Sequence, residues 1–253
     1  DEAAVRTHRG IYKWTAAVNK PMDLAEEKIY EGKVFATPLQ VAEVRAQSWC
    51  TYWQPHEKHG AQQRLWQAVE KLRKAALEEE VEPVTLEDVD EAIYTFNDAT
   101  GLGTDQTSPK FIKGLPPQGR RELAELCTDV LQKKAWPWQV LAVIIATLAK
   151  GGGGERPIGL LALLCRVLFR TKRQDSREWA AEHAGFWDTA IAGSSALKAA
   201  LARALGLEAA KLRGELFLLL LLGLETFYDT VPLDRVIDAA LDLGFSATIT
   251  WLN

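Results

Sequence analysis

Residues 140–161 read Val140-Leu-Ala-Val-Ile-Ile-Ala-Thr-Leu-Ala-Lys150-Gly-Gly-Gly-Gly-Glu-Arg156-Pro-Ile-Gly-Leu-Leu161. The opening run, Val140 to Leu148, is short, apolar and β-branched, and predicts a buried strand. Four consecutive glycines then predict a tip free to bend between two ordered elements. From Ile158 to about His183 the pattern predicts one long helix with basic flanks, its Leu160, Leu163, Leu164 and Val167 facing inward. The glycines are not a P-loop, because the lysine precedes them and no Gly-Lys-Ser/Thr follows. Periodicity along the rest of the chain is mostly helical, so a helix-rich protein is expected.

Upstream, the first ~80 residues read as amphipathic helices. Val41, Val44, Trp49 and Trp53 share one face, and Leu65, Val69 and Leu72 another. Trp14, Trp49, Trp53 and Trp66 are expected packing anchors. His56 and His59 stand three apart with no further ligand nearby, so a solvated turn is favoured over a metal site. After Pro83, Thr85 and Asp88 form a capping-box pair ahead of Leu86, Val89, Ile93 and Phe96. That helix stops at Thr100-Gly-Leu-Gly-Thr-Asp105, which no strand precedes, so a dinucleotide fingerprint is a weak reading there. A further helix is expected from about Pro117 to Lys134, with Leu123, Leu126, Val130 and Leu131 inward.

Downstream, Gly193-Ser-Ser195 starts a helix to about Leu207. Glu215-Leu-Phe-Leu-Leu-Leu-Leu-Leu-Gly223 reads as a strand buried on both faces, followed by Glu225-Thr-Phe-Tyr-Asp229. Pro232 then opens a helix with Val236, Ile237, Ala240 and Leu241 on one face.

Composition sets the outer bounds. The 253 residues carry 30 Lys plus Arg against 34 Asp plus Glu, a formal charge of −4, which argues against a simple basic nucleic-acid binder. Hydrophobic residues at 47% exclude wholesale disorder. Cys50, Cys127 and Cys165 are too widely spaced for a disulfide framework, and are expected to be reduced thiols of an intracellular protein, nuclear or cytoplasmic. Val140–Ala149 and Leu216–Leu222 are the longest apolar runs, short of the ~20 residues that span a bilayer, so no membrane role is expected. Asp1 and Asn253 both fall abruptly in the pattern, and the chain is expected to be an excerpt of a longer one.

Three segments in order resemble reverse transcriptases of non-LTR (LINE-like) retrotransposons, in phrasing closest to the elements of dinoflagellate genomes. Thr100-Gly-Leu-Gly-Thr-Asp105 with Leu115-Pro-Pro is similar to the Gly-x-Asp and Leu-Pro elements that precede the fingers. Lys150 followed by Arg156-Pro-Ile-Gly-Leu-Leu161 resembles the Lys…Arg-Pro-Ile-Ser-Leu fingers motif. Leu224-Glu-Thr-Phe-Tyr-Asp229-Thr-Val231 resembles palm motif A. Ile191-Ala-Gly-Ser-Ser195 stands where the family has Gln-x-Gly-Phe-Arg, and lacks the Gln, Phe and Arg.

The resemblance implies an α+β, helix-rich fold, a partial right-hand polymerase: a helical extension over 1–84, then fingers and the first part of the palm over 85–253. It implies an RNA template, a DNA primer and dNTPs as partners, with Mg²⁺ as cofactor of the intact enzyme. Lys150 and Arg156 would neutralise the incoming triphosphate, Tyr228 would sit near its sugar, and Asp229 would be the secondary acid of motif A. Nucleotidyl transfer needs two divalent ions about 3.5–4 Å apart, clamped by carboxylates. Gly223 occupies the position of the primary metal-binding Asp and brings no side chain. Glu225 shares its strand face but is displaced by about 6–7 Å. The aromatic-x-Asp-Asp motif is absent, and Asp98 and Asp105 lie too early to replace it. No metal site is assigned, and this nucleotidyltransferase relative is expected to be a pseudoenzyme.

Arg166, Arg170 and Arg173 recur at three- and four-residue spacing and would make one helix face basic. That face reads either as a track for template phosphates or as the solvated side of a core helix. The rival functional readings are a non-catalytic nucleic-acid-binding protein and a helical scaffold. Without sheet neighbours the Leu-rich strand is an aggregation hazard, and poor solubility is expected.

Overall fold

A computed structural model of the chain describes residues 28–30, 33–35, 38–53, 60–149, 155–185, 188, 191–216, 218 and 230–253. It is helix-rich with small sheets, an α+β arrangement. Contacts divide the chain into two compact units, Asp1–Gln54 with Thr147–Pro157, and Pro55–Ala146 with Ile158–Asn253.

In the first unit, β1 (Lys28–Tyr30) and β2 (Lys33–Phe35) pair antiparallel, Ile29 opposite Val34. This hairpin departs from the all-helical expectation for the first ~80 residues. Helix α1 (Pro38–Trp53) buries Val41 and Val44, as the periodicity predicts. His56, His59 and Trp14 lie outside the described residues.

The second unit is built on two apolar clusters. Helix α2 (Ala61–Glu78) buries Ala68, Leu72 and Ala76 at fourfold spacing. They pack with Ile237 of α9 (Leu233–Asp242) and Ala247 of α10 (Ala247–Leu252), while Trp66 stands exposed rather than acting as an anchor. The larger cluster joins α3 (Leu86–Tyr94), α4 (Pro109–Lys113), α5 (Pro117–Lys133) and α6 (Leu163–Thr171). Thr85 and Asp88 close the predicted capping box at the start of α3. On α5 the inward face is Ala124, Cys127, Val130 and Leu131, with Leu126 turned outward.

Three polar chains tie the clusters together. Lys134 is almost buried, and its Nζ donates to the Glu79 carbonyl (3.0 Å) and the Thr248 hydroxyl (2.8 Å). The Glu79 carboxylate accepts the Thr248 N–H at 2.6 Å. The Trp251 indole donates to the Lys134 carbonyl at 2.8 Å. Each buried donor or acceptor here has a partner, which offsets its desolvation.

The central stretch corrects two expectations. A 3₁₀ turn (Trp138–Val140) precedes β3, which spans Ile144–Ala149 rather than starting at Val140. Ile144 and Ile145 are exposed, because a two-stranded sheet cannot cover both of its own faces. The expected helix from Ile158 to His183 is instead three elements: β4 (Glu155–Leu160), α6, and α7 (Arg173–His183). β3 and β4 pair, and the five residues 150–154 between them permit only antiparallel pairing. Lys172, at φ −95° and ψ 13°, breaks the helix between α6 and α7.

Helix α8 (Ala196–Arg213) starts on a Ser195 cap and ends on left-handed Gly214, two turns beyond the predicted stop. Of the expected Leu-rich strand, Leu216 and Leu218 are described, exposed and outside any strand. Phe217 and residues 219–223 of that segment lie outside the described residues.

Candidate nucleic-acid interface

Helix α6 buries Leu163, Val167 and Leu168, which turns Arg166 and Arg170 toward the rim of the core. One helical turn apart, both guanidinium groups reach over the ring of Phe96, which follows α3 and is itself buried. The Arg170 Cζ lies 3.5 Å from the ring centroid and the Arg166 Cζ 5.4 Å. A cation over an aromatic face is held by the ring quadrupole. Each arginine is anchored further by a neutral acceptor: Arg166 donates to the Gly101 carbonyl (2.8 Å) and Arg170 to the Thr95 hydroxyl.

Among the described residues, Arg166, Arg170 and Arg173 form no ion pair. The two acids of the adjoining loop are committed elsewhere. Asp98 pairs with Lys113 Nζ at 2.6 Å, and Asp105 accepts the Leu163 N–H at 2.7 Å. The crowding registers on Arg170, whose pKa is lowered by burial first and then by the Arg166 and Arg173 charges. Two guanidinium groups held on neutral supports, with the Arg173 charge close enough to act on Arg170, leave a local positive potential suited to an anion. Arg173 belongs to this group although the break at Lys172 puts it on α7.

Loop 100–107 holds the neighbouring chain from both sides. The Thr104 hydroxyl donates to the Ala142 carbonyl (3.0 Å), before β3, and Asp105 holds Leu163, after β4. Gly103 is buried against the Leu161–Ala162 backbone, so closely that a Cβ there would stand 2.2 Å from the Leu161 carbonyl oxygen. Glycine is required by this approach. The Gly-x-Asp and Arg-Pro-Ile-Gly-Leu-Leu segments therefore lie against one another.

Of the remaining sequence candidates, Arg156 is exposed on β4. Lys150, Tyr228 and Asp229 lie outside the described residues, as do Gly223 and Glu225. Sequence reasoning missed Phe96 as a platform and Asp105 as a support; both act on residues far along the chain, so no local spacing reveals them. Among the described residues no group of three or more His, Cys, Asp or Glu side chains could hold a metal ion. No helix among them is long and apolar enough to cross a membrane.

Cys127 and Cys165 are free and buried. Burial pushes the Cys127 thiol up to about 12, with Cys165 adding to the shift, and the Cys165 thiol up to about 11, with Asp105 adding to it. Neither has the low pKa of a reactive thiolate.

No protein-family model matches the chain, and no curated protein is significantly similar to it.

Proposed function

We propose that the chain is the fingers-side part of a reverse transcriptase domain of the non-LTR retrotransposon type, acting as a nucleic-acid-binding module without polymerase activity. The family reading rests on the order of the three motifs; the binding reading is carried by the arginine cluster. Arg166, Arg170 and Arg173 present unneutralised guanidinium groups, suited to bidentate contact with phosphate oxygens. Arg156, also unpaired among the described residues, is the described member of the expected triphosphate-binding pair. Glycine at the primary acid of motif A does not fit a two-metal site, so no step is assigned to Mg²⁺.

The test is fluorescence anisotropy with a labelled RNA template annealed to a DNA primer, titrated at several salt concentrations. Three arginine contacts give a slope of log K against log salt of about −2.7. Binding is expected to be independent of Mg²⁺ and to be accompanied by no primer extension. The Arg166→Ala/Arg170→Ala variant is expected to reduce the slope by about 2. Equal binding by that variant, or no binding at low salt, rejects the reading.

One observation favours a second reading, a helical interaction module. Leu197, Leu201, Leu205 and Leu212 stand exposed along α8, opposite the buried Ala199 and Ala210. Loss of template-primer binding as the outcome above, with self-association retained, supports this alternative.

A further inference from the structure

We propose that Asp105 is a positioning residue for the arginine cluster. Its carboxylate pins the first turn of α6 to loop 100–107, and that attachment, not the negative charge, sets where Arg166 and Arg170 stand. The inference rests on the nucleic-acid reading above and names how that interface is held.

Helix α6 lacks a cap of its own, because its N-cap position is Ala162, which offers no side-chain acceptor. Asp105 supplies the missing acceptor from 58 residues upstream, at 2.7 Å from the Leu163 nitrogen. One turn further on, Arg166 returns a bond to the same loop at Gly101. Between the two bonds, Gly103 sits in direct backbone contact with Leu161. Loop and helix thus form a closed ring of contacts, with the Phe96 platform just upstream of the loop. Release of Asp105 frees one side of this ring, and the guanidinium groups lose their register over Phe96.

Charge and position predict opposite signs, which makes the inference sharp. An acid beside an anion-binding cluster repels the anion, so deleting the charge alone tightens binding. Deleting a positioning bond weakens it. Asp105→Asn removes the charge and keeps an acceptor oxygen; Asp105→Glu keeps the charge and moves the oxygens outward by one methylene; Asp105→Ala removes both.

The experiment measures anisotropy of a labelled single-stranded oligouridine with the full chain and each variant, over a salt series. Circular dichroism at the binding temperature checks that each variant is folded. Asp105→Asn is expected within about twofold of the wild type, while Asp105→Glu and Asp105→Ala bind about fivefold more weakly. Their salt slopes are expected to fall by about 0.7, one single-strand contact. A purely structural role changes melting temperature and leaves the slope alone. If Asp105→Ala does not fold, the Asn and Glu variants decide between them. Unchanged or tighter binding by Glu, or by a folded Ala variant, overturns the proposal. If Arg170→Ala leaves oligouridine binding intact, the nucleic-acid reading itself has failed and the inference falls with it.

Discussion

Replacing Gly103 by Ala adds one methyl group where two backbone segments touch. The new Cβ would stand 2.2 Å from the Leu161 oxygen, 2.6 Å from its carbonyl carbon and 2.7 Å from the Ala162 nitrogen. None of these is the far end of a flexible side chain, so the loop itself must retreat, by about 1 Å, to regain ordinary contact. That movement takes the Asp105–Leu163 bond from 2.7 Å and the Thr104–Ala142 bond from 3.0 Å to beyond useful length. Loss of the cap costs about 1 kcal/mol and the overpacking about 1–3 kcal/mol, together about 2–4 kcal/mol. Urea unfolding followed by circular dichroism measures this as a lower midpoint at unchanged slope. Gly101→Ala is the internal control, two residues away in the same loop. Its Cβ meets only the Leu160 side chain, Cδ2 at 3.5 Å and Cδ1 at 4.0 Å, ordinary contacts, so a change within about 0.5 kcal/mol is expected. Equal midpoints for the two variants would refute the claim that this loop is clamped on the β4–α6 junction.

Further outcomes follow from the same contacts. Thr85→Ala opens the capping box of α3 and is expected to cost about 1 kcal/mol in the same unfolding assay. Lys134→Ala leaves the Thr248 hydroxyl and the Glu79 carbonyl without their donor, with an expected loss of about 1–3 kcal/mol. The buried thiols give an alkaline signature. Folded Cys127 and Cys165 keep their protons above the ordinary 9.0 while the unfolded chain releases them, so stability is full below pH 9.0 and falls as pH rises toward 11. Lys134, whose pKa burial lowers, acts in the opposite sense below 10.5, so the measurement is the difference between wild type and Cys127→Ala/Cys165→Ala across that range. A disulfide-exchange reagent at pH 8 is expected to modify exposed Cys50 promptly and the two buried thiols only on unfolding; prompt modification of all three refutes the burial.

What the sequence revealed was what lies close along the chain. Thr85 and Asp88 cap each other three residues apart, and Ile237 follows Pro232 on a fixed face of one helix, so both were readable from spacing. The error over Ile158 to His183 has the same origin. Leu160, Leu163, Leu164 and Val167 fit a 3.6-residue period whether or not Leu160 is helical. β4 is distinguished only by its pairing with β3 across the glycines.

The candidate interface divides along the same line. The spacing of Arg166 and Arg170 shows that they share a face, but not what that face meets. Thr95 and Arg170 are 75 residues apart, and Asp105 and Leu163 are 58 apart. The fold makes the cluster by bringing an aromatic platform under the arginines and by committing the nearby acids to Lys113 and to the Leu163 amide. Asp98 is neutralised by Lys113, whereas Asp105 keeps its charge while its carboxylate is taken up by the Leu163 amide. The net charge of −4 is therefore a poor guide to this surface, since what attracts a phosphate is the local excess left once each acid has found its partner.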